Sequence, residues 1–228
     1  TTPEQDEKLQ KCFDDFAMVV SDKEGWEFLI ERRDVHVHWK NYPGDAISTF
    51  RGVGMIAKGT SEVIKILTDP ERRAEWDLFY DWGKIHKQLT ETTGIVHCST
   101  KSQYTVWPRD FVLLVGARGC EAADEEGKPF KEQRIEFVGS SVEDEDLPVV
   151  SSHVRANALR GGFLLEPVRE EGMPDGADSY TRLTYVFQVD AAGWLPHSLM
   201  NQVNTYQPLG IVGIRKALTG STIHPPPQ

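Results

Sequence analysis

Apolar positions recur with two different periods along the chain, and these periods divide it into predicted helices and strands. The longest helical pattern covers 197–218, where apolar residues return every three or four positions and form one stripe. Pro196 suits the first turn of such a helix, and Gly220 suits its end. Pro208 lies inside the pattern and removes one backbone hydrogen bond, so the sequence predicts a single long helix with a kink at this proline.

Shorter helical patterns and a series of strand patterns come before the long C-terminal helix. An amphipathic helix is predicted over 4–20, and two short helices are predicted over 60–76, the first capped by Thr60 or Ser61 and the second by Asp69. Apolar and polar residues alternate in about nine further segments, three before the two short helices and six after them, as they do in the strands of a half-buried sheet. These segments are 26–30, 35–39, 47–57, 83–90, 94–103, 109–119, 133–142, 154–167 and 180–189.

The order of these elements predicts an α+β fold. One curved antiparallel sheet would wrap around the kinked C-terminal helix, with the N-terminal helix and the two short helices beside it. No internal repeat or linker divides the chain, so we expect one domain over 1–228, with 221–228 as a C-terminal tail. A helix held in this way leaves a long space between itself and the sheet, and that space can be filled or hollow.

The net charge and the cysteines narrow the class of protein. The formal net charge is −10 at pH 7, which disfavours nucleic-acid binding because that function requires basic surfaces. Cys12, Cys98 and Cys120 are far apart and form no CxxC pair, so neither a zinc site nor a disulfide framework is predicted. We expect a monomeric domain in the reducing cytoplasm, excised from a larger parent protein whose other parts could bring it to a membrane.

Three short patterns that could carry catalysis are weak. His36 and His38 would share a strand face, but they have no third metal ligand at a useful spacing. His97 and Cys98 are neighbours on a predicted strand, so their side chains point to opposite faces and cannot act together as base and nucleophile. The residues at 58–60 have lysine before glycine, which reverses the order of a phosphate-binding loop. We therefore predict no enzyme activity, no metal and no cofactor.

Three separated motifs resemble those of one known family. They are Glu-Trp-Asp at 75–77, Trp-Pro-Arg-Asp-Phe at 107–111, and Gly-Trp-Leu-Pro at 193–196 followed by Asn-Gln-Val at 201–203. Their order and spacing resemble the START family, the steroidogenic acute regulatory protein-related lipid transfer domain. The resemblance implies a helix-grip fold, a tunnel for one lipid molecule, no cofactor and no catalysis. It also implies that the C-terminal helix and the loop at 166–179 open at a membrane.

A few positions, compared with relatives in the family, bear on which class of lipid is expected as the ligand. Arg73 and Asp77 fall where the phosphatidylcholine transfer protein has an arginine and an aspartate near the lipid phosphate, and a guanidinium can bind a phosphate through two N–H groups. The alternative for this i, i+4 pair is an exposed ion pair on a helix, which contributes less than about 1 kcal/mol. Val115 stands where the sterol carriers of the family typically have an arginine, which does not favour a sterol.

The choline end of that relative is matched less well. Its aromatic cage holds a quaternary ammonium by cation–π attraction. Here the corresponding positions are Phe111, Cys98 and Leu159, of which one is aromatic. We therefore expect a glycerophospholipid as the ligand, with a sterol, or another apolar lipid such as ceramide, as the alternative, for either a carrier or a lipid sensor.

The remaining expected site residues lie on the last helix and around its start. Residues expected to face the lipid, together with Trp76 of the first motif, are Met200, Val203, Asn204 and Gln207. Residues expected to dock on the membrane or to act in the gate are Met173, Pro174, Trp194, Leu195 and Pro208. A module that binds another protein and no lipid stays open as a further alternative, and a filled core would favour it.

Overall fold

A computed structural model of the 228-residue chain describes residues 1–102, 106–169, 179–195 and 197–220. The helices of this part are α1 (Pro3–Ser21), α2 (Thr60–Thr68), α3 (His197–Tyr206) and α4 (Gly210–Thr219), with a 3₁₀ turn at Arg73–Glu75. The strands are β1 (Glu27–Arg32), β2 (Val35–Lys40), β3 (Thr49–Ile56), β4 (Tyr80–Gln88), β5 (Thr93–Thr100), β6 (Arg109–Cys120), β7 (Arg134–Ser141), β8 (Val154–Arg155), β9 (Asn157–Val168) and β10 (Tyr180–Asp190). The α+β class and the predicted N-terminal helix are confirmed.

The strands form a single curved sheet in the order β1-β2-β3-β10-β9-β7-β6-β5-β4. Neighbours along this path are antiparallel, as predicted, but β8 pairs with β6 in parallel. The segment predicted as one strand at 154–167 is thus two strands, because Val154 and Ala156 donate backbone hydrogen bonds to Pro108 and Asp110 before the chain crosses to β7. The described residues therefore contain ten strands, one more than the predicted nine or so.

One face of the sheet is covered by α1. The apolar face of this helix buries Phe13, Phe16 and Val19, as the predicted amphipathic pattern requires. These side chains pack on Leu164 of β9 and Val186 of β10. This side of the sheet is therefore a filled core.

The opposite face is covered by α2, the 3₁₀ turn and the C-terminal helices. Ile66 of α2 and Ile211 and Ile214 of α4 belong to one buried cluster with Val35 and Leu183 of the sheet. This cluster fills the part of the concave face near β2, β3, β10 and β9, which leaves the region in front of β5 and β6 for the site described below.

The single C-terminal helix predicted by the sequence is wrong in one respect. The helix stops at Tyr206 and restarts at Gly210, so the predicted kink at Pro208 is a complete break. Pro208 is buried against β3, where a Cβ atom on Gly52 would lie 2.8 Å from the carbonyl oxygen of Pro208. The break is thus packed into the sheet, and only glycine at 52 permits this approach.

Helix α4 is firmly held. A Cβ on Gly213 would lie 2.8 Å from the Cα of Trp76, so the helix touches the backbone after the 3₁₀ turn. Arg215 is 3% exposed and donates hydrogen bonds to the carbonyls of Met55, Arg33 and Asp34. Backbone contact and a buried guanidinium therefore fix α4 to the sheet.

The two short helices also differ from the prediction. The first begins after Gly59, and neither Thr60 nor Ser61 caps it. Instead the carboxylate of Glu132, from the β6–β7 loop, accepts hydrogen bonds from the Ser61 N–H at 2.9 Å and from the Thr60 hydroxyl at 3.1 Å. The second predicted helix is only the 3₁₀ turn, although Asp69 accepts from the N–H of Glu71.

Candidate functional site

A cavity of about 610 Å³ lies between the concave face of the sheet and the helices α2 and α3. Most of its lining is apolar and comes from elements far apart in the sequence. Among the larger apolar side chains of the lining are Ile64, Leu67, Trp76, Trp107, Phe111, Leu113, Val115, Phe137, Phe163, Phe187, Leu195, Leu199, Met200 and Val203. The site is therefore a mainly apolar internal cavity of the size typical of small-molecule pockets.

Strand β6 explains why this interior is hollow. Phe111, Leu113 and Val115 alternate with Val112 and Leu114, as neighbours in a strand must. Val112 and Leu114 are completely buried on the other face, whereas the three cavity-facing side chains are only partly buried. The continuous apolar run is typical of a strand covered on both faces. On the cavity face of β6, the covering helices α2 and α3 do not pack directly on the strand, and the cavity lies between the strand and these helices.

A polar cluster interrupts the apolar lining where the 3₁₀ turn, β10 and the α3–α4 break meet. It consists of Arg73, Asp77, Tyr185 and Gln207, all of which line the cavity. Arg73 donates a hydrogen bond from Nε to Asp77 Oδ2 at 3.0 Å, and its Nη2 lies 3.0 Å from the same oxygen as an ion pair. The amide nitrogen of Gln207 donates to the same carboxylate oxygen at 3.2 Å and to the Tyr185 hydroxyl at 3.0 Å. The Asp77 carboxylate therefore holds the Arg73 guanidinium and the Gln207 amide in place, and that amide in turn contacts the Tyr185 hydroxyl.

Burial controls the ionisation of this polar cluster. The Asp77 side chain is 3% exposed, so the pair with Arg73 is not the exposed helix-surface ion pair that was the alternative interpretation. Burial lowers the pKa of Arg73, but Asp77, with smaller contributions from Cys98 and Tyr185, more than offsets burial and raises it, so the guanidinium stays charged. Burial raises the pKa of Tyr185 to about 12 and also raises the pKa of the Cys98 thiol, so both remain neutral at pH 7.

The Arg73 guanidinium keeps donors for a further partner. Its Nη1 contacts no hydrogen-bond acceptor among the residues that the structure describes. The rings of Trp76 and Tyr80 lie 5.6 Å and 5.2 Å from its central carbon, which is suitable for cation–π contact. A ligand oxygen in the cavity could therefore accept from Arg73 without breaking the bonds to Asp77.

A family model described as the START domain matches residues 9–221. The chain belongs to the START domain family. The StAR-related lipid transfer protein 5 of Bos taurus is 28% identical over 200 residues, which are 84% of this chain and 83% of that protein. The mitochondrial steroidogenic acute regulatory protein of Gallus gallus is 26% identical over 203 residues, 87% of this chain and 64% of that protein.

Solved structures agree with the START fold. The human StAR-related lipid transfer protein 5 superposes with a TM-score of 0.78 at 21% identity and covers 95% of this chain and 97% of its own. The crystal structure of human STARD10 gives 0.72 at 20% identity, with 90% and 78% coverage. These likenesses establish the helix-grip architecture predicted from the motifs. No helix in the described part of this START domain has the length and apolar content needed to cross a membrane.

Most of the predicted lipid-facing residues of the START domain line the cavity. These are Arg73, Trp76, Asp77, Cys98, Phe111, Val115, Met200, Val203, Asn204 and Gln207, and Leu195 joins them although it was predicted for docking. Leu159 does not line the cavity and is 44% exposed, because it lies on β9 between two residues, Ala158 and Arg160, that do line it. Pro208 is buried at the helix break, and Met173 and Pro174 lie outside the described residues.

The sequence did not reveal the role of Arg109. This residue is 7% exposed and donates to the carbonyl oxygens of Ala191 at 3.0 Å, Ala192 at 3.0 Å and Trp107 at 2.7 Å, with a longer contact of 3.4 Å to that of Trp194. Burial lowers its pKa. It therefore ties the segment before α3 to the start of β6 and brings two exposed tryptophan residues together.

Those tryptophans form an apolar rim, which we define as Trp107 and Trp194. Trp107 is 59% exposed and also lines the cavity, and Trp194 is 77% exposed. Only Trp194 was predicted as a docking residue. The exposure of Trp107 could not be predicted because a tryptophan before a buried strand is equally suited to a core.

The patterns considered for catalysis do not converge. His97 binds Asp110 at 3.0 Å and does not line the cavity, whereas Cys98 does. In the described residues the only three-ligand group with metal-site spacing is His86, Asp144 and Asp146, and Lys87 already lies 3.0 Å and 2.8 Å from the two carboxylates. His36 lies 3.5 Å from Glu31. Apart from Cys98, none of these residues is part of the cavity lining.

Proposed function

We propose that this START domain, over 1–228, binds one lipid molecule in the cavity and carries it between membranes without catalysis. The observation that supports this most directly is the hollow, mainly apolar interior of about 610 Å³. Removing hydrocarbon from water is favourable by roughly 0.8 kcal/mol per CH₂ group, so such an interior can hold a lipid strongly. A hollow interior also counts against a module that only binds another protein.

The cavity volume favours a lipid about the size of a sterol. A protein cavity of about 150 Å³ accommodates benzene, which corresponds to roughly 25 Å³ per carbon atom. At that density, 610 Å³ holds about 24 carbon atoms. A sterol has a similar number of carbon atoms, whereas the two acyl chains and headgroup of a phospholipid need considerably more space. We therefore place a sterol-sized lipid first among the candidates.

A glycerophospholipid, the ligand expected from the sequence, is the second candidate because of Arg73. The free Nη1 of this residue and its enclosed position would suit a phosphate oxygen, and charge-assisted hydrogen bonds of this kind are strong. The neighbouring Asp77 would orient the guanidinium. Binding a diacyl lipid would require the cavity to widen, which displacement of α3 would allow.

Native mass spectrometry of the purified domain tests the ligand class. The domain would be expressed in eukaryotic cells, and its co-purified lipids identified for the wild type, Arg73→Leu and the control Arg72→Leu. Arg72 is a matched control because it is exposed and pairs with Glu75. A sterol retained by all three proteins supports the first candidate, and a phospholipid lost only in Arg73→Leu supports the second. A protein that carries no lipid and binds neither class of added lipid contradicts the carrier proposal.

We also propose that lipid exchange occurs at the Trp107–Trp194 rim. Tryptophan is well placed in the interface between lipid headgroups and acyl chains, and Trp107 and Leu195 connect the rim to the cavity. The absence of catalysis has its own test. Purified domain incubated with sterol esters and phospholipids should leave them intact, and hydrolysis at a rate above that of heat-denatured protein would contradict it.

A further inference from the structure

The two C-terminal helices are attached to the domain in different ways. Helix α4 touches the backbone at Trp76 and buries Ile211, Ile214 and Arg215. In α3 the side chains from Leu199 to Tyr206 are at most partly buried, and four of them lie over the hollow part of the interior. For this stretch of α3, the structure describes no side-chain hydrogen bond to another element, and its one charged contact is the Arg32 guanidinium of β1, 5.6 Å from the Tyr206 ring. Helix α3 is therefore the loosely attached half of the pair.

Gln207 is the first residue after α3, and its side chain makes the hydrogen bonds that attach the end of this helix to the rest of the domain. Its single amide nitrogen donates to Asp77 Oδ2 and to the Tyr185 hydroxyl, at 3.2 Å and 3.0 Å. The accepting oxygen of Asp77 is the same atom that accepts the Nε–H of Arg73 and lies 3.0 Å from its Nη2. The end of α3 is thus bonded to the polar cluster of the cavity and, through it, to the guanidinium that would meet a ligand.

We propose that Gln207 is a latch that holds α3 closed over the cavity, and that α3 alone, hinged at the buried residues Pro208 and Leu209, is the moving lid while α4 stays fixed. The proposal deepens the proposed lipid-carrier function and rests on it. Because the latch closes on Asp77, its strength depends on Arg73 holding that carboxylate in place through its Nε–H and its charge. Arg73 therefore acts on the lid as well as on the ligand. Gln207 is a positioning residue, since it acts through the helix that covers the lipid.

Hydrogen exchange on the lipid-stripped domain tests the latch without any ligand. In Gln207→Leu, loss of two hydrogen bonds should speed the exchange of amides at 199–206 by about thirtyfold, since each such bond contributes roughly 1 kcal/mol and 1.4 kcal/mol is a factor of ten. Amides at 211–219 should exchange as in the wild type. Gln202→Leu is the matched control, because Gln202 is exposed on the same helix. Equal acceleration of both helices, or of neither, would overturn the proposal.

Tyr185→Phe tests the latch again with a smaller change, in case Gln207→Leu folds poorly. It removes only the hydroxyl that accepts from Gln207, so α3 should loosen by about threefold to fivefold. In the double variant the two effects should not multiply, because both remove one interaction. Multiplicative effects would mean that the two residues act separately, and the latch would be rejected. Arg73→Leu should also loosen α3 in the absence of lipid.

A transfer measurement links the latch to the function. A fluorescent sterol and a fluorescent phosphatidylcholine, each preloaded into the domain, would be transferred to phosphatidylcholine vesicles in a stopped-flow instrument. Whichever probe binds should leave Gln207→Leu about tenfold faster than wild type, with a smaller change in its dissociation constant. A normal rate despite faster exchange in α3 would show that the lid does not limit transfer. If neither probe binds the wild type, the carrier function fails while the exchange result for the latch still stands.

Discussion

Single buried charges mark the points where distant parts of this domain are joined. Arg109 and Arg215 donate to backbone carbonyls of other segments, and Asp77 gathers groups from the 3₁₀ turn and the helix break. Asp110 is completely buried beside Arg109, where Arg155 donates to its two oxygens at 3.1 Å and 2.9 Å and His97 lies at 3.0 Å. Each of these charges has its hydrogen-bonding capacity met by a residue distant in sequence, which makes removal of one partner costly.

The Asp110 network predicts an acid-dependent loss of stability. Burial raises the pKa of Asp110, but hydrogen bonds from Arg155 and His97 outweigh burial and hold the pKa below its ordinary value. Because the pKa is lower in the folded state, the stabilisation is present above the unfolded value of about 3.9 and is lost as pH falls below it. Asp110→Asn should lower the free energy of unfolding at pH 7 by about 3 kcal/mol and reduce its change between pH 4 and pH 2.

Urea unfolding from pH 2 to pH 8 measures both effects. Asp81→Asn serves as the control, since Asp81 is exposed on β4. An Asp110→Asn protein with wild-type stability at pH 7, or with the same loss in acid as the wild type, would contradict the prediction.

The sequence predicted correctly many of the residues that line the cavity, but it did not predict what their side chains contact. Arg73 and Asp77 could be found because their spacing and motif are visible in the chain, and the structure places both at the cavity. Tyr185 could not be distinguished, because it alternates along β10 like any core residue. Leu159 was expected at the site from its position relative to the family motifs, but the side to which a strand residue points depends on register. Burial and pairing are long-range properties that residue identity alone does not determine.

The sequence predicted where most helices and strands lie along the chain more accurately than the residues at which they begin and end. Periodicity identified α1 and most strands, since hydrophobic pattern and local structure agree there. The failures occur where a distant contact decides the outcome. Gly52 accepts Pro208 and splits the last helix, β6 captures residues 154–155 as β8, and Glu132 replaces the local caps of α2. None of these partners lies near the affected residues in the sequence.

Pro208→Ala tests whether the helix break matters for lipid exchange. Alanine is about 3 kcal/mol more favourable than proline inside a helix, so α3 and α4 should tend to fuse and the lid should stiffen. We expect slower transfer of a bound fluorescent lipid to vesicles, with a smaller change in its equilibrium affinity. Stopped-flow transfer and equilibrium titration measure the two quantities. Equal changes in both would argue against gating at this break.

For the whole molecule, the arrangement of cavity, lid and rim matters more than the net charge. The chain carries a net charge of −10, which gives no electrostatic attraction to anionic membranes. The apolar rim, held together by Arg109, lies at the same end of the domain as the start of α3. Contact with a bilayer would therefore depend on tryptophan insertion and would be weak and reversible, as a carrier requires.

Charged substitutions in the rim should slow transfer without emptying the cavity. Trp107→Asp and Trp194→Asp place a carboxylate where the indole would enter the bilayer interface, so each should reduce the rate of transfer to phosphatidylcholine vesicles by about tenfold or more. Phe28→Asp is the control, because Phe28 is 61% exposed on β1 and does not line the cavity. Lipid binding in solution should be nearly unchanged. Unaltered transfer in both tryptophan variants would exclude the rim as the docking surface.

The unfilled space of about 610 Å³ also makes the domain compressible. Unfolding eliminates internal voids, so the volume of the system falls, and hydrostatic pressure favours the state of smaller volume. We expect the lipid-free protein to denature at a lower pressure than a solidly packed protein of equal thermal stability. A guest molecule in the interior would remove most of that difference, so high-pressure fluorescence could report occupancy without a labelled lipid.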